Sequence, residues 1–313
     1  MKIAEVLTPM SDHHLRLAAQ VGVEEIVVRY PGDDADALDT VCDKVESFGM
    51  RVGVVEGFLP LERIKLGQSG REEELAAMIR LIQRMGQRGV GVLCYNFMPT
   101  SDWSRTRTDL VERGGALVSG FDLTQVATAP EAESAIVTAE ELWTHLSWFL
   151  ERILPVAEQA GVDLAMHPDD PPLSPLMGCE RIMINVPAFE RLLSLSPSPN
   201  NGICFCQGNF LAMGADLPDA VHSLQSAIKY VHFRDVQGSA EDFRETFHDN
   251  GPTNMAAALK LYTDANFTGP LRCDHVRNRA NRDTPCSADY MRSVSFRGCC
   301  RPSNHRNPST PHD

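Results

Sequence analysis

Two histidines, a cysteine and an aspartate stand at the ends of four apolar runs of strand length that follow one another. They are DLAMHP with His167, ICFCQG with Cys206, KYVHFRD with His232 and PLRCDH with Asp274. Carboxyl-end residues of successive strands in a parallel barrel converge at one mouth. Two imidazoles, a thiolate and a carboxylate meeting there form a metal site. Each segment alone has a bland reading: a surface histidine, a buried core thiol, a surface ion pair. Four such residues on consecutive strand ends point to a metal.

The neighbours of these residues add chemistry. His167 opens His-Pro-Asp-Asp-Pro-Pro, a rigid turn that fixes the imidazole. Asp169 and Asp170 could orient it or serve as acid–base groups. Cys204 and Cys206 share a strand face. Cys206 is nearer the mouth, and Cys204 reads as a buried structural thiol. Arg234, two residues after His232, shares its face and should sit higher in the mouth. A guanidinium there can hold a carboxylate through two parallel hydrogen bonds, and the alternative is a surface ion pair with Asp235 or a neighbour. Arg272 lies deeper than Asp274. In a regular strand His275 would face away from Asp274, but the turn at a strand end can bring both to the site. His248, in a βα loop, and Tyr95, Asn96 and Met98, after the fourth strand, belong to the same mouth. Trp103, Arg105 and Arg107 could close over an acidic sugar or anchor their loop.

Eight strand candidates can position these groups: KIAEVL, EEIVVRY, RVGVVEGF, VGVLCYNF, VDLAMHP, GICFCQG, KYVHFRD and GPLRCDH. Most are continuous apolar runs, as expected for strands covered on both faces. Helical patterns lie between them, with Ser11 or Asp12 and Thr138 as N-caps, Thr253 as a further cap, and Gly22 as a stop. Eight strand–helix repeats over about 275 residues predict an α/β fold, the (β/α)8 TIM barrel, over residues 1–276. An excursion at 99–138 is too long for an ordinary βα loop and reads as a lid or substrate-contacting flap. From Val276 onward the charge balance turns to arginine and no apolar helical stripe follows the eighth strand. Residues 277–313 therefore read as a disordered tail that leaves part of the barrel wall uncovered.

Composition narrows the classes. The 313 residues are 43% apolar and 23% charged, as in a globular protein. A net charge of −13 argues against nucleic-acid binding, although local arginines still permit an anionic substrate. No apolar run reaches the ~18 residues of a membrane helix. The N-terminus lacks the apolar stretch of a signal peptide, so a cytoplasmic location is expected. Nine irregularly spaced cysteines suit reduced thiols. No G-x-G-x-x-G follows a strand, and no nicotinamide is expected. Homo-oligomer formation is left open.

The ordered motifs YNFMP, DWSRTRTDL, HPDDPP, FCQGN, YVHFRDV, FHDNGPTNM and RCDH together resemble the mannonate dehydratase family of uronate (glucuronate) catabolism, from the N-terminus to about His275. The resemblance implies a xylose-isomerase-like TIM barrel. It implies a lyase reaction, loss of water from D-mannonate to give 2-keto-3-deoxy-D-gluconate, with Mn2+ or Fe2+. His167, Cys206, His232 and Asp274 would be the metal ligands and His275 an acid–base residue. Arg234, Arg105, Asn96 and His248 would face the substrate. The ligand set by itself also suits Zn2+. Three departures stand out: Cys273 where the family has proline, an extra Arg-Thr pair in DWSRTRTDL, and Tyr290 without the Pro-Gly that precedes the family's catalytic tyrosine. The C2 proton of such an acid is weakly acidic, so a base must take it while an acid protonates the departing C3 hydroxyl. His275 suits one role, and Tyr290, His248 or a carboxylate of the His-Pro-Asp-Asp turn the other. A sugar isomerase or epimerase, or an inactive metal- or sugar-acid-binding relative, are the rival readings. Paired arginines favour an acid substrate over a neutral sugar.

Overall fold

The computed structural model of the chain describes residues 1–34, 36–101, 103–126 and 136–274. The chain opens with β1 (Lys2–Val6), α1 (Asp12–Val21), β2 (Glu25–Val28), α2 (Ala37–Glu46) and β3 (Arg51–Glu56). The short α3 (Glu62–Lys65), then α4 (Arg71–Arg88) and β4 (Val92–Tyr95), complete the first half of the barrel. Caps set the ends of these helices. Ser11 accepts from the His14 amide, and Gly22 takes a left-handed φ of 79° that an L side chain would resist.

After β4 the excursion forms a hairpin of β5 (Arg107–Val111) and β6 (Leu117–Asp122). α5 (Ala139–Ala160) then begins with a capping box, in which Thr138 and Glu141 satisfy each other's backbone amides. β7 (Asp163–Met166), α6 (Val186–Leu195), β8 (Asn201–Cys206), α7 (Gln207–Ala212) and α8 (Leu217–Leu224) follow. The described chain ends with β9 (Ile228–Phe233), β10 (Val236–Ser239), β11 (Asp242–Glu245), α9 (Met255–Asp264) and β12 (Pro270–Cys273).

Eight parallel strands close into a barrel in the order β1-β12-β9-β8-β7-β4-β3-β2. These are the eight apolar runs of the sequence. The main core lies between strands and helices, with Leu93, Leu164, Phe205 and Val231 packed against Met78, Phe149, Leu192 and Tyr262. A smaller cluster fills the barrel: Ala4, Val27, Val54, Val92, Cys94, Ala165, Cys204 and Tyr230.

One expected helix cap needs correction, and the described part of the excursion is built of regular structure. Its hairpin joins β10 and β11 in a four-stranded antiparallel sheet, order β10-β11-β6-β5, over its own apolar cluster of Phe121, Leu176, Ala212, Val236 and Phe243. The pairing partner lies in a distant βα loop, so no local pattern announces it. The cap of α9 is Asn254, which accepts from the Ala257 amide, while Thr253 bonds Asp235. The expected tail, with His275 and Tyr290, falls outside the described residues.

Candidate metal centre at the barrel mouth

β7, β8, β9 and β12 are consecutive in the barrel, and their register sets the height of each side chain. Cys206 pairs with His232, and His232 with Arg272. Asp274 lies two residues beyond Arg272, and His167 directly follows β7. Ligand atoms of His167, Cys206 and His232 lie within 4.8 Å of one another. Asp274 Oδ2 is 3.5 Å from His232 Nδ1 and 4.0 Å from Cys206 Sγ. The four residues chosen from strand ends are thus one cluster.

Hydrogen bonds decide which atoms face the centre. His167 Nδ1 lies 2.7 Å from the Pro168 carbonyl, which can only accept. Nδ1 therefore carries the proton and Nε2 is the basic nitrogen. His232 Nδ1 is buried without a hydrogen-bond partner. Leaving a buried ring nitrogen unsatisfied is costly, and a cation shared with Cys206, Asp274 and His167 removes that cost. Nε2 of His232 is 3.4 Å from Glu56 Oε2 and 3.1 Å from Arg272 Nη2. Glu56 and Arg272 thus hold the Nε2 edge of the ring and leave Nδ1 facing the cluster, so that neighbouring side chains set the orientation of the imidazole. Two anionic donors, Cys206 and Asp274, would offset the charge of a divalent ion. The donor set therefore fits such an ion.

Glu56 was not among the residues singled out in the sequence, although it has the same signal: a charged residue ending an apolar run. Arg272 reaches Glu56 Oε1 and Asp274 Oδ1, each at 2.9 Å, and Tyr230 donates to Glu56 at 3.1 Å. Burial alone would raise the Glu56 pKa, but Arg272, His232 and Arg29 outweigh it and hold the carboxyl well below the usual carboxylate range.

Arg234 does not stand free in the mouth as a carboxylate clamp. Its side chain is 2% exposed, and its Nε points at Cys206 Sγ and Asp274 Oδ2, each 3.3 Å away. Nη1 lies 2.6 Å from Glu245 Oε1, and Nη2 bonds Asn209 and Asp170. Its ion-pair partners are neighbouring carboxylates and not Asp235, which accepts from Thr253 and the Val236 amide. Burial would disfavour the charged guanidinium, yet Cys206, Glu245, Asp170 and Asp274 raise its pKa well above the usual value. Gly208 permits this packing, because a Cβ there would meet the Arg234 guanidinium at 2.9 Å.

Arg105 spans the same carboxylates, with Asp170 at 2.7 and 3.0 Å and Glu245 at 2.9 Å. Of the two alternatives for this residue, the geometry carries anchoring: Arg105 ties the excursion to β11 and to the turn after His167. Asn96 Oδ1 accepts from Lys65 at 2.9 Å, and His248 Nε2 donates to the Phe233 carbonyl at 2.7 Å. Lys65 and Glu245 were also missed in the sequence, since neither ends a barrel strand. Asp170 neutralises both arginines. Asp169 accepts from the Met183 amide at 2.7 Å, and burial pushes its pKa up.

A sequence model described as D-mannonate dehydratase (UxuA) matches residues 12–137 and 130–296. The chain belongs to the mannonate dehydratase family. The match runs past His275 and includes position 290. Mannonate dehydratase 2 of Halalkalibacterium halodurans is 35% identical over 264 residues, 75% of this chain and 76% of that protein. The mannonate dehydratase of Streptococcus equi subsp. zooepidemicus is 33% identical over 290 residues, 82% of this chain and 79% of that protein. The crystal structure of mannonate dehydratase from Streptococcus suis serotype 2 superposes with a TM-score of 0.85 at 29% identity, covering 96% of this chain and 92% of that one. A 3-keto-D-glucoside 4-epimerase from E. coli shares the barrel at a TM-score of 0.66 and 13% identity, covering 96% of this chain and 100% of that one, a likeness of fold alone. Mannonate dehydratases are hydro-lyases. No described helix is long and apolar enough to cross a membrane.

Proposed function

We propose that the chain removes water from D-mannonate to give 2-keto-3-deoxy-D-gluconate, using one divalent cation held by His167, Cys206, His232 and Asp274. The observation that carries this reading is the convergence of those four donors, with an orphaned His232 Nδ1, in a chain of this family. A divalent cation there supplies Lewis acidity to the substrate carboxylate, where charge builds when the C2 proton leaves. Arg234 holds Cys206 and Asp274 in place, and Glu56 and Arg272 fix the His232 ring. Asn96 and His248 line the mouth on the substrate side, and Arg105 keeps the antiparallel sheet against it. His275 follows Asp274 directly and serves in proton transfer at C2 or C3, with Tyr290 as its counterpart. Both roles rest on the family resemblance. Mn2+ or Fe2+ is the working ion, in a cytoplasmic enzyme of glucuronate catabolism.

The test is reconstitution of metal-stripped protein with Mn2+, Fe2+ or Zn2+, followed by detection of 2-keto-3-deoxygluconate from D-mannonate. Product with Mn2+ or Fe2+ is expected. Metal-loaded protein that makes no keto-deoxy acid, or that interconverts aldose and ketose instead, overturns the reading.

A further inference from the structure

Below the mouth cluster lies a second group of ligand atoms, which adds to His232 two thiols that dehydration does not use. We propose that Cys94, Cys204 and His232 form a deeper site for a soft, thiophilic divalent cation, and that this site competes with the mouth cluster for His232. Cys94 on β4 and Cys204 on β8 both point into the barrel, among Val92, Ala165 and Tyr230. They are 2% and 0% exposed. Both are free thiols. Their sulfurs and a ring nitrogen of His232 lie within 4.8 Å of one another. Cys204 precedes Cys206 by two residues on one strand face, so the two groups are adjacent layers that share one imidazole.

The chemistry of the two layers differs. The upper set includes the hard oxygen donor Asp274, which suits Mn2+ or Fe2+. The lower set is two sulfurs and one nitrogen, which favours Zn2+ or Cd2+ over harder ions. As each metal–sulfur bond forms, the thiol releases its proton to solvent, two protons for one ion. Two thiolates then balance a divalent charge, and the neutral unit suits the apolar barrel interior. An ion in this layer draws His232 away from Cys206, His167 and Asp274. The competition rests on the mouth reading, whereas the deep site does not.

Cd2+ is the probe, because its bonds to thiolate absorb in the ultraviolet. The full chain carrying Cys206→Ser lacks the mouth thiolate. It is compared with the same chain also carrying Cys94→Ala and Cys204→Ala, so that every other cysteine cancels. The expected difference is two cadmium–sulfur bonds, saturating at one Cd2+ per chain. Equal absorption in both proteins overturns the site. If the triple variant does not fold, the Cys204→Ala/Cys206→Ser chain must still lose at least one such bond, and an undiminished signal overturns the site equally. The competition is read by electron paramagnetic resonance of Mn2+ bound to the intact chain. Cd2+ should release Mn2+ at lower concentration from the intact chain than from Cys94→Ala protein, and coincident release curves overturn it. Neither arm measures turnover, so a failure of the dehydratase assay leaves both readouts intact.

Discussion

The two halves of the barrel mouth are built alike and equipped differently. β7, β8, β9 and β12 each deliver one candidate metal ligand, while β1 to β4 fill the interior with Ala4, Val27, Val54 and Val92 and send one carboxylate, Glu56, toward the cluster. Strand spacing explains the division. Neighbouring strands lie about 4.8 Å apart, so residues at one level of adjacent strands can share an ion. A residue across the barrel must reach by its side chain, and Glu56 does so on the far side of the His232 ring. The ligand half makes the site, and the opposite half orients it.

That division breaks first at the ligands. His232→Ala or Cys206→Ser should leave the purified protein without its cation and lower turnover by more than ~100-fold, beyond the range typical of orienting residues. Metal content after dialysis, with activity alongside, measures this. Retained metal in both variants would dissolve the distinction between the halves.

Loss of Arg234 should act on stability as well. Arg234→Leu leaves Asp170, Glu245 and Asp274 buried with less compensation, at a cost of about 3–5 kcal/mol. Denaturant unfolding should show it, and Gly208→Ala should shift in the same direction by displacing the guanidinium. An unchanged midpoint for Arg234→Leu would mean that the buried arginine is not what offsets these carboxylates.

Glu56→Gln sharpens the comparison from the opposite half. It should weaken cation binding by roughly 10–100-fold, as loss of an orienting carboxylate does elsewhere. The cluster itself would remain, so calorimetric titration should reveal weaker binding at unchanged stoichiometry. Affinity equal to that of the unaltered chain would leave Glu56 a structural carboxylate only.

The smallest effect lies away from the mouth, at the start of α5. Thr138→Ala should cost about 1 kcal/mol through the lost cap. The Glu141 carboxyl is held below its ordinary value of 4.5, chiefly by the Thr138 backbone amide and then by its hydroxyl. A depressed folded-state pKa means that its contribution is complete above 4.5 and is lost as pH falls below that value. Glu141→Gln should therefore flatten the acid side of a plot of melting temperature against pH. A parallel, merely lowered curve would place the acid sensitivity elsewhere.

The barrel and the four donors were legible from the sequence because both depend on local facts. Continuous apolar runs such as VGVLC and GICFC announce strands covered on both faces, and Ser11, Gly22 and Thr138 announce helix ends through their own backbone bonds. A closed parallel barrel turns position at a strand end into position at the mouth, so His167, Cys206, His232 and Asp274 could be picked out before any coordinates. Tertiary structure alone decided what those residues touch. Which nitrogen of His232 faces the cluster depends on Glu56 and Arg272, contributed by β3 and β12. Whether Arg234 and Arg105 clamp a substrate or bury themselves between Asp170 and Glu245 depends on a sheet whose two hairpins are far apart in the chain. Such contacts join residues by charge and close packing across long loops, and neither leaves a periodic trace along the sequence.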